Sequence, residues 1–271
     1  MRRTAKEKQQ VHDFWDEKSC GEDLYLDGLD VAGYSSQSEM RYRLEPYIPA
    51  FAGFDSIKGK RVLEIGVGLG ADHQRFAENG ADLYGIDLTD RAVSHTRRRL
   101  DLFGLHSNLS VGDAEALDFP DAYFDVVYSW GVIHHSPDTP KAVSEIQRVL
   151  KPGGVARVMV YHKNSIVGTM LWLRYALLAW SPFKSLNEVY SKHLESPGTK
   201  AYTLKEAREL FASFQTVELS TVLTHGDLLE SNAGQRHRGF ALTLAKKLWP
   251  RRLIRRFLPN AGLFMMISAT K

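Results

Sequence analysis

Between Arg61 and Lys151, short apolar runs take turns with segments of helical spacing, and few architectures accommodate that order. "RVLEIG", ending at Gly66, "DLYGID", from Asp82 to Asp87, and "FDVVYSW", from Phe124 to Trp130, have the length and the apolar content of strands. "HQRFAENGA" and "RAVSHTRRRLDLFG" close on Gly80 and Gly104. "PKAVSEIQRVLKPGG" begins behind Asp138 and Thr139 and stops at Pro152. Strands alternating with helices make a parallel sheet covered on both faces, so the expected fold is α/β and doubly wound. "VARVMVYH" (Val155 to His162), a helix opened by the capping box of Thr203 and Glu206, "TVELSTVLT" and an antiparallel last strand "FMMISATK" continue it. "LKPGG" reads as a turn between helix and strand.

The first strand runs into Gly66, Gly68 and Gly70, which give up packing and cost extra backbone entropy, so a plain turn would not need all three. A glycine loop there exposes N–H groups at a helix N-terminus, where a ligand can lie against the chain. With Ala71 after Gly70 the spacing also satisfies GxGxx(G/A), which a nicotinamide or flavin site uses as readily. The host is bounded by composition: 271 residues, 44% apolar and 25% charged, give one full core with room for insertions. A formal net charge of +3 does not mark a nucleic-acid binder. Cys20, the one cysteine, excludes an internal disulfide and a multi-cysteine zinc cluster, and fits a reducing cytoplasm. "MRRTAKEKQQ" has no apolar segment behind its arginines and reads as no secretory signal. The most apolar window, Ile166 to Trp180, is short and broken by Arg174, which argues against a membrane span.

Glu64, the spacing Glu64-x-Gly66-x-Gly68-x-Gly70, Asp87 at the end of the second strand, "GDAEAL" at Gly112 to Leu117, "FDVVYSWGVIHHSPD" and "LKPGG" follow one another in one order. Over roughly Gly59 to Val160 they resemble the class I S-adenosylmethionine-dependent methyltransferases, in particular the small-molecule, type 11-like branch with a "HH.PD" stretch after the fourth strand. The resemblance implies a Rossmann-like fold, S-adenosyl-L-methionine as cofactor and S-adenosyl-L-homocysteine as product. It implies that Gly66, Gly68 and Gly70 form the floor beneath the methionine and ribose parts, and that Glu64 orients the loop and meets the amino group. Asp87 would accept from both ribose hydroxyls, Leu88 would lie on the adenine, and Asp113 would accept from the adenine amino group beside the N–H of Ala114. Trp130 and Gly131 would border the methionine end. Each residue has a plain structural alternative: a ligand-free turn for the glycines, a helix cap for Asp87, a turn residue for Asp113, a buried carboxylate for Glu64.

A sulfonium is already an activated donor, so such an enzyme has to align the reactants and exclude water, and no metal is expected. A base is needed only for a hydroxyl, an acidic carbon or a protonated amine. His134, His135, His162 and His225 fall at or just past strand ends, on the edge where open α/β sheets bind ligands. His135 is the first catalytic candidate and His134 the second, against the alternative that both only pack beside the site. At the fourth strand the chain has "SWGV" where amino-group methyltransferases acting on DNA bases carry (D/N)PP(F/Y), so that likeness is poor.

The expected organisation is an N-terminal helical cap over 1–58, the cofactor-binding core over 59–163, a lid insertion over 164–200, and the end of the core over 201–271 with a second cap insertion at about 226–262. "SIVGTMLWLRYALLAWSPF" is apolar almost throughout, and "KKLWPRRLIRRFLP" sets Lys246, Lys247, Arg251, Arg252, Arg255 and Arg256 among Leu248, Trp249, Leu253, Ile254 and Phe257. Such a lid suits a hydrophobic small-molecule or lipid-like acceptor, and the basic stretch suits a peripheral contact with an anionic membrane from the cytoplasmic side. The plain alternative is a pair of core-facing cap helices with a solvated basic face. Two other classes stay open: an RNA- or protein-modifying methyltransferase docking through the basic stretch, although nucleic acid is not the expected partner, and a non-catalytic S-adenosylmethionine-binding protein.

Overall fold

The computed structural model describes residues 2–230 and 247–271. Lys246 and the stretch 231–246 of the expected second cap insertion lie outside the described residues. Among the described residues four α-helices, α1 (Arg2–Glu17), α2 (Glu22–Tyr25), α3 (Val31–Leu44) and α4 (Ile48–Ala52), and a 3₁₀ turn at Phe54–Ser56 precede the sheet. The chain then runs β1 (Arg61–Ile65), α5 (Ala71–Glu78), β2 (Asp82–Asp87), α6 (Asp90–Leu102), β3 (Asn108–Val111), β4 (Phe124–Trp130), α7 (Thr139–Val149) and β5 (Leu150–His162). An insertion follows with α8 (Ile166–Trp172), a π-helical turn at Leu173–Leu177 and α9 (Leu186–His193). After it come β6 (Ala201–Tyr202), α10 (Leu204–Leu210), β7 (Thr216–Val222), α11 (Arg251–Phe257) and β8 (Phe264–Thr270).

The helix starts are set by side-chain caps. Thr89 accepts from the Ala92 N–H, Asp138 from Lys141 and Ser165 from Gly168. Ser185 with Glu188 and Thr203 with Glu206 form full capping boxes. The strands pair in the order β3-β2-β1-β4-β5-β8-β7, with β6 added beside β5. The first five run parallel, and β8 lies antiparallel between β5 and β7. Chain order reverses between β1 and β4, which opens a crevice at their carboxyl ends. This is the Rossmann-like sheet expected from the alternation. Two details differ. "LKPGG" is not a turn: Leu150 pairs with Phe124 and the strand continues through an irregularity in which Gly153 has φ of 76°. The two-residue β6, too short to show as a hydrophobic run, forms where the first insertion returns to the edge of the crevice.

One sheet face packs Leu63, Ile65, Val127, Val158 and Ile267 against α7 and α10. The other packs Val62, Val126 and Tyr128 against Phe76 and against Ile48, Ala52, Phe54 and Ile57 of the N-terminal segment. That segment therefore covers one face of the sheet. Arg99 of α6, fully buried, ties it down: its guanidinium donates to Gln37 Oε1 (2.7 Å) and the Tyr34 carbonyl (2.8 Å) in α3, to Gln74 Oε1 (2.6 Å) and to the Leu69 carbonyl (3.0 Å) in the glycine loop. The apolar window 166–180 breaks into α8 and the π turn, leaving Trp180 and Phe183 almost fully exposed. Among the described residues no helix is long and apolar enough to cross a membrane.

Candidate functional site

A cavity of about 990 Å³ opens at the carboxyl ends of β1, β2 and β4 and extends under the N-terminal helices and the insertions. Its floor is the glycine loop, and the glycines do different work. At Gly66 (φ 83°) a Cβ would come within 2.1 Å of Val132 Cγ2, so the bare backbone there serves protein packing. At Gly68 (φ 52°) nothing lies within 4 Å of where a Cβ would stand, and this is the position whose missing side chain leaves the cavity open. Gly70 precedes α5 in a left-handed conformation.

Asp87, the last residue of β2, points into the crevice. Oδ2 accepts from the Gly68 N–H (3.2 Å), and Oδ1 accepts from the Thr89 N–H and hydroxyl (3.0 Å each). Thr89, not Asp87, caps α6, so Asp87 organises the loop and the cap from between them. Burial pushes its carboxyl above the ordinary range, against the N–H groups of Thr89 and Gly68, which favour the charge. Leu88 lines the cavity beside it.

Glu64 is buried, and its Oε2 lies 2.8 Å from His73 Nδ1. His73 Nε2 lies 2.8 Å from Ser107 Oγ, whose hydroxyl hydrogen goes to the Leu83 carbonyl at 2.9 Å. Nε2 must therefore be the donor. Burial depresses the imidazole to about 3, so His73 is neutral with a bare Nδ1. Burial, then the charge of Asp72, holds Glu64 well above the carboxylate range. The consistent assignment is a protonated Glu64 donating to Nδ1, a neutral pair where a charged one would lack solvation. Next to it Asp72 is held ionised: burial raises its pKa, but the paired guanidinium of Arg41 (3.1 and 2.6 Å) and the hydroxyls of Tyr128 (2.9 Å) and Tyr42 (3.0 Å) bring it below the ordinary value.

At the other end of the crevice Asp113 accepts from the Glu115 N–H (2.9 Å), as a turn residue does, and its Oδ2 also meets Lys8 Nζ at 2.5 Å. Lys8 reaches Glu115 as well (2.6 Å). Burial opposes the lysine's charge and the two carboxylates more than restore it. Ala114 lines the cavity between them. Trp130, stacked on Tyr47 with ring centroids 5.9 Å apart, and Gly131 line it near the sheet's middle.

Beyond Trp130 the walls come from the caps. His135 lines the cavity; His134 does not, being buried with its ring against Tyr161 (centroids 4.2 Å apart). Burial, then His135, depresses His134 well below the usual imidazole value. His162 is also off the cavity, with Nδ1 3.2 Å from the Gly262 carbonyl, whereas His225 lines it. Glu195, from the loop after α9, accepts from the Tyr161 hydroxyl at 2.6 Å and stands 3.3 Å from His135 Nε2. Glu45, at the end of α3, faces the cavity with Oε2 3.3 Å from Arg41; burial lifts its carboxyl to about 7, with Arg41 opposing. Trp15 of α1 sets the edge of its indole on His135 (5.3 Å). Lys8, Trp15, Arg41, Glu45 and Glu195 were not singled out from the sequence, and none lies in a motif or a periodic pattern that would have marked it.

The residues present fit an adenosyl ligand. Gly68 clears backbone for close approach, a short carboxylate stands at the end of β2 with an acceptor position left on Oδ2 for a hydroxyl donor, and Leu88 supplies an apolar wall. At about 990 Å³ the cavity is at the upper end of the roughly 300–1,000 Å³ of small-molecule sites, which leaves room for a second ligand.

Residues 63–158 match the model of a family described as a methyltransferase domain. The chain is 28% identical over 206 residues to 2-methyl-6-phytyl-1,4-hydroquinone methyltransferase of Synechocystis sp., covering 69% of this chain and 64% of that one. It is 37% identical over 116 residues to the fatty-acid O-methyltransferase of Mycolicibacterium smegmatis, covering 42% and 41%. The matched stretches span 25% to 64% of the length of these and similar curated relatives. In fold the chain is similar to a solved phosphoethanolamine N-methyltransferase 2 of Haemonchus contortus, in complex with phosphomonomethylethanolamine and S-adenosylhomocysteine (TM-score 0.61, 18% identity, 96% of this chain and 60% of that one).

Proposed function

We infer that this chain, which carries a class I S-adenosylmethionine-dependent methyltransferase domain, transfers a methyl group to a hydrophobic small-molecule or lipid-like acceptor. The observation that supports this best is one continuous cavity running from the glycine loop and Asp87 to walls made of Val167, Met170, Leu171, Leu194 and Phe264. S-Adenosylmethionine bound at the loop end supplies a methyl group on a sulfonium that leaves as a neutral thioether. The chain's own residues do the rest. Gly66, Gly68 and Gly70 floor the methionine and ribose, Asp87 takes the ribose hydroxyls, Leu88 and Ala114 flank the adenine with Asp113, and Glu64, Trp130 and Gly131 border the methionine end. The apolar walls exclude water from the reacting atoms. His135, and not His134, borders the acceptor.

The test has two arms. Calorimetry should show S-adenosylhomocysteine binding and no binding of NAD. Incubation with labelled S-adenosylmethionine and a total cell extract should move label into an apolar, solvent-extractable product. Binding of NAD in place of S-adenosylhomocysteine overturns the cofactor reading, and label appearing only in RNA or protein overturns the acceptor class.

We propose further that the acceptor is collected from an anionic lipid surface. Leu253 and Phe257 of α11 are exposed, as are Arg252 and Arg256, and Leu248 and Lys247 just before it. Arg251 is held by the Leu228 and Leu229 carbonyls, and Arg255, although exposed, is paired with Glu230. At about 1 kcal/mol per basic residue near such a surface, changing Lys247, Arg252 and Arg256 to Gln should weaken binding to anionic vesicles by roughly 100-fold at low salt. Equal sedimentation of variant and parent would leave α11 as a solvated face.

A further inference from the structure

The apolar window Ile166 to Trp180 holds one charge, Arg174, and the fold carries it to the cavity. Val167, Met170, Leu171 and Arg174 all line that cavity, with the i, i+3, i+4, i+7 spacing of a single helix face. The stripe has a direction. Val167 packs into the same cluster as Trp130 and Phe264, so the start of α8 stands at the sheet, beside the proposed methionine end of the cofactor site. Seven residues on, about 10 Å at 1.5 Å per residue, Arg174 is exposed while still lining the cavity, which puts it at the rim. It falls in the π-helical turn Leu173–Leu177, a rare form that concentrates at functional sites. Its guanidinium is also held: Cζ stands 5.3 Å from the centroid of the Tyr175 ring, and that ring stacks on His193 of α9 with centroids 3.8 Å apart.

The cations on the cavity wall differ in what they face. Lys8 is bridged to Asp113 and Glu115, and Arg41 to Asp72 and Glu45. Glu195 takes the Tyr161 hydroxyl and faces His135. Among the described residues Arg174 makes no ion pair, and the stretch 231–246 contains no Asp or Glu. A planar cation with a fork of N–H donors, set where an apolar stripe ends, matches a carboxylate or a phosphate carried on an apolar chain.

We propose that Arg174 is a specificity-determining residue: the acceptor is an amphiphile whose anionic group, a carboxylate or a phosphate, pairs with Arg174 at the rim. Its apolar body lies along Leu171, Met170 and Val167, and its methyl-accepting atom reaches the sheet end. This rests on the methyltransferase reading above and narrows the substrate class within it. Held about two helical turns from the sheet end, the anionic group is recognised and is not itself methylated.

The test uses decanoate, decyl phosphate and decan-1-ol, which share a chain and differ in charge. Calorimetry on the full chain with S-adenosylhomocysteine present should show both anions binding about tenfold or more tightly than the alcohol. Arg174→Gln should bring all of them within about threefold of one another, while the affinities for the alcohol and for S-adenosylhomocysteine stay as in the parent. Arg174→Lys, which keeps the charge and loses the fork, should fall between. Sedimentation with phosphatidylglycerol vesicles separates an anion entering the cavity from a headgroup in a bilayer: Arg174→Gln and parent should sediment equally. No binding of the anions, equal binding of anions and alcohol to the parent, a full preference retained in Arg174→Gln, or vesicle binding lost with Arg174 overturns the assignment. Labelled methyl decanoate formed from labelled S-adenosylmethionine also overturns it, by placing the carboxylate at the sulfonium. Failure of the parent to bind S-adenosylhomocysteine would instead overturn the methyltransferase reading, so the two outcomes are separate.

Discussion

Replacing Asp87 by alanine is expected to weaken S-adenosylhomocysteine binding by about 10- to 150-fold, read by calorimetry at neutral pH. Hydrogen bonds to a charged group are worth about 1.5–3 kcal/mol, and 1.4 kcal/mol is a factor of ten. The loss has two sources: the acceptor for the ribose hydroxyls goes, and so do the anchors on Gly68 N–H and on Thr89. Asp87→Asn separates them, since the amide keeps one acceptor oxygen, and should fall between. Because burial raises the Asp87 pKa, affinity should decline as pH drops into the range where that carboxyl protonates. The same shift has the opposite sign for stability: a carboxyl whose pKa is higher in the folded state destabilises the fold as pH rises past its unfolded value. An Asp87→Ala protein with unchanged affinity would mean that neither the Asp87 carboxylate nor its anchors on Gly68 and Thr89 contribute to the cofactor site.

Arg41→Ala should cost about 3–5 kcal/mol of folding stability, the scale seen when one partner of a buried ion pair is removed and the other is left charged. Asp72 is 3% exposed, and without Arg41 only the hydroxyls of Tyr42 and Tyr128 remain to solvate it. At roughly 2–4 °C per kcal/mol for a chain of this size, the melting temperature should drop by on the order of 10 °C. Asp72→Asn in the same chain should recover part of the loss. In the parent, the contribution of this pair is present above the unfolded carboxyl's pKa and is lost as pH falls through the lowered value in the folded state, so the penalty of Arg41→Ala should shrink in acid. A melting temperature within 1 °C of the parent would show that Asp72 is neutral or solvated.

These two residues also mark what could be read in advance. Asp87 ends an apolar run, follows a glycine loop at fixed spacing and acts on groups within a few residues of it or on the first loop, so a local pattern located it. The sheet order was legible for the same reason, because each strand-to-helix unit is nearly self-contained. Arg41 meets Asp72 across 31 positions, Lys8 meets Asp113 across 105, and Glu195 meets Tyr161 and His135 from an irregular loop. No periodicity encodes such contacts; they follow from where the insertions come to rest on the sheet. The reading of "LKPGG" as a turn weighed its proline and glycines above the pairing that β4 imposes on Leu150.

Helix α1 touches both ends of the cavity at once: Lys8 bridges Asp113 and Glu115 at one end, and Trp15 lies on His135 at the other. A displacement of that helix would act on both ends together, and any coupling free energy it set between the two sites would be the same size whichever ligand is counted as the effector.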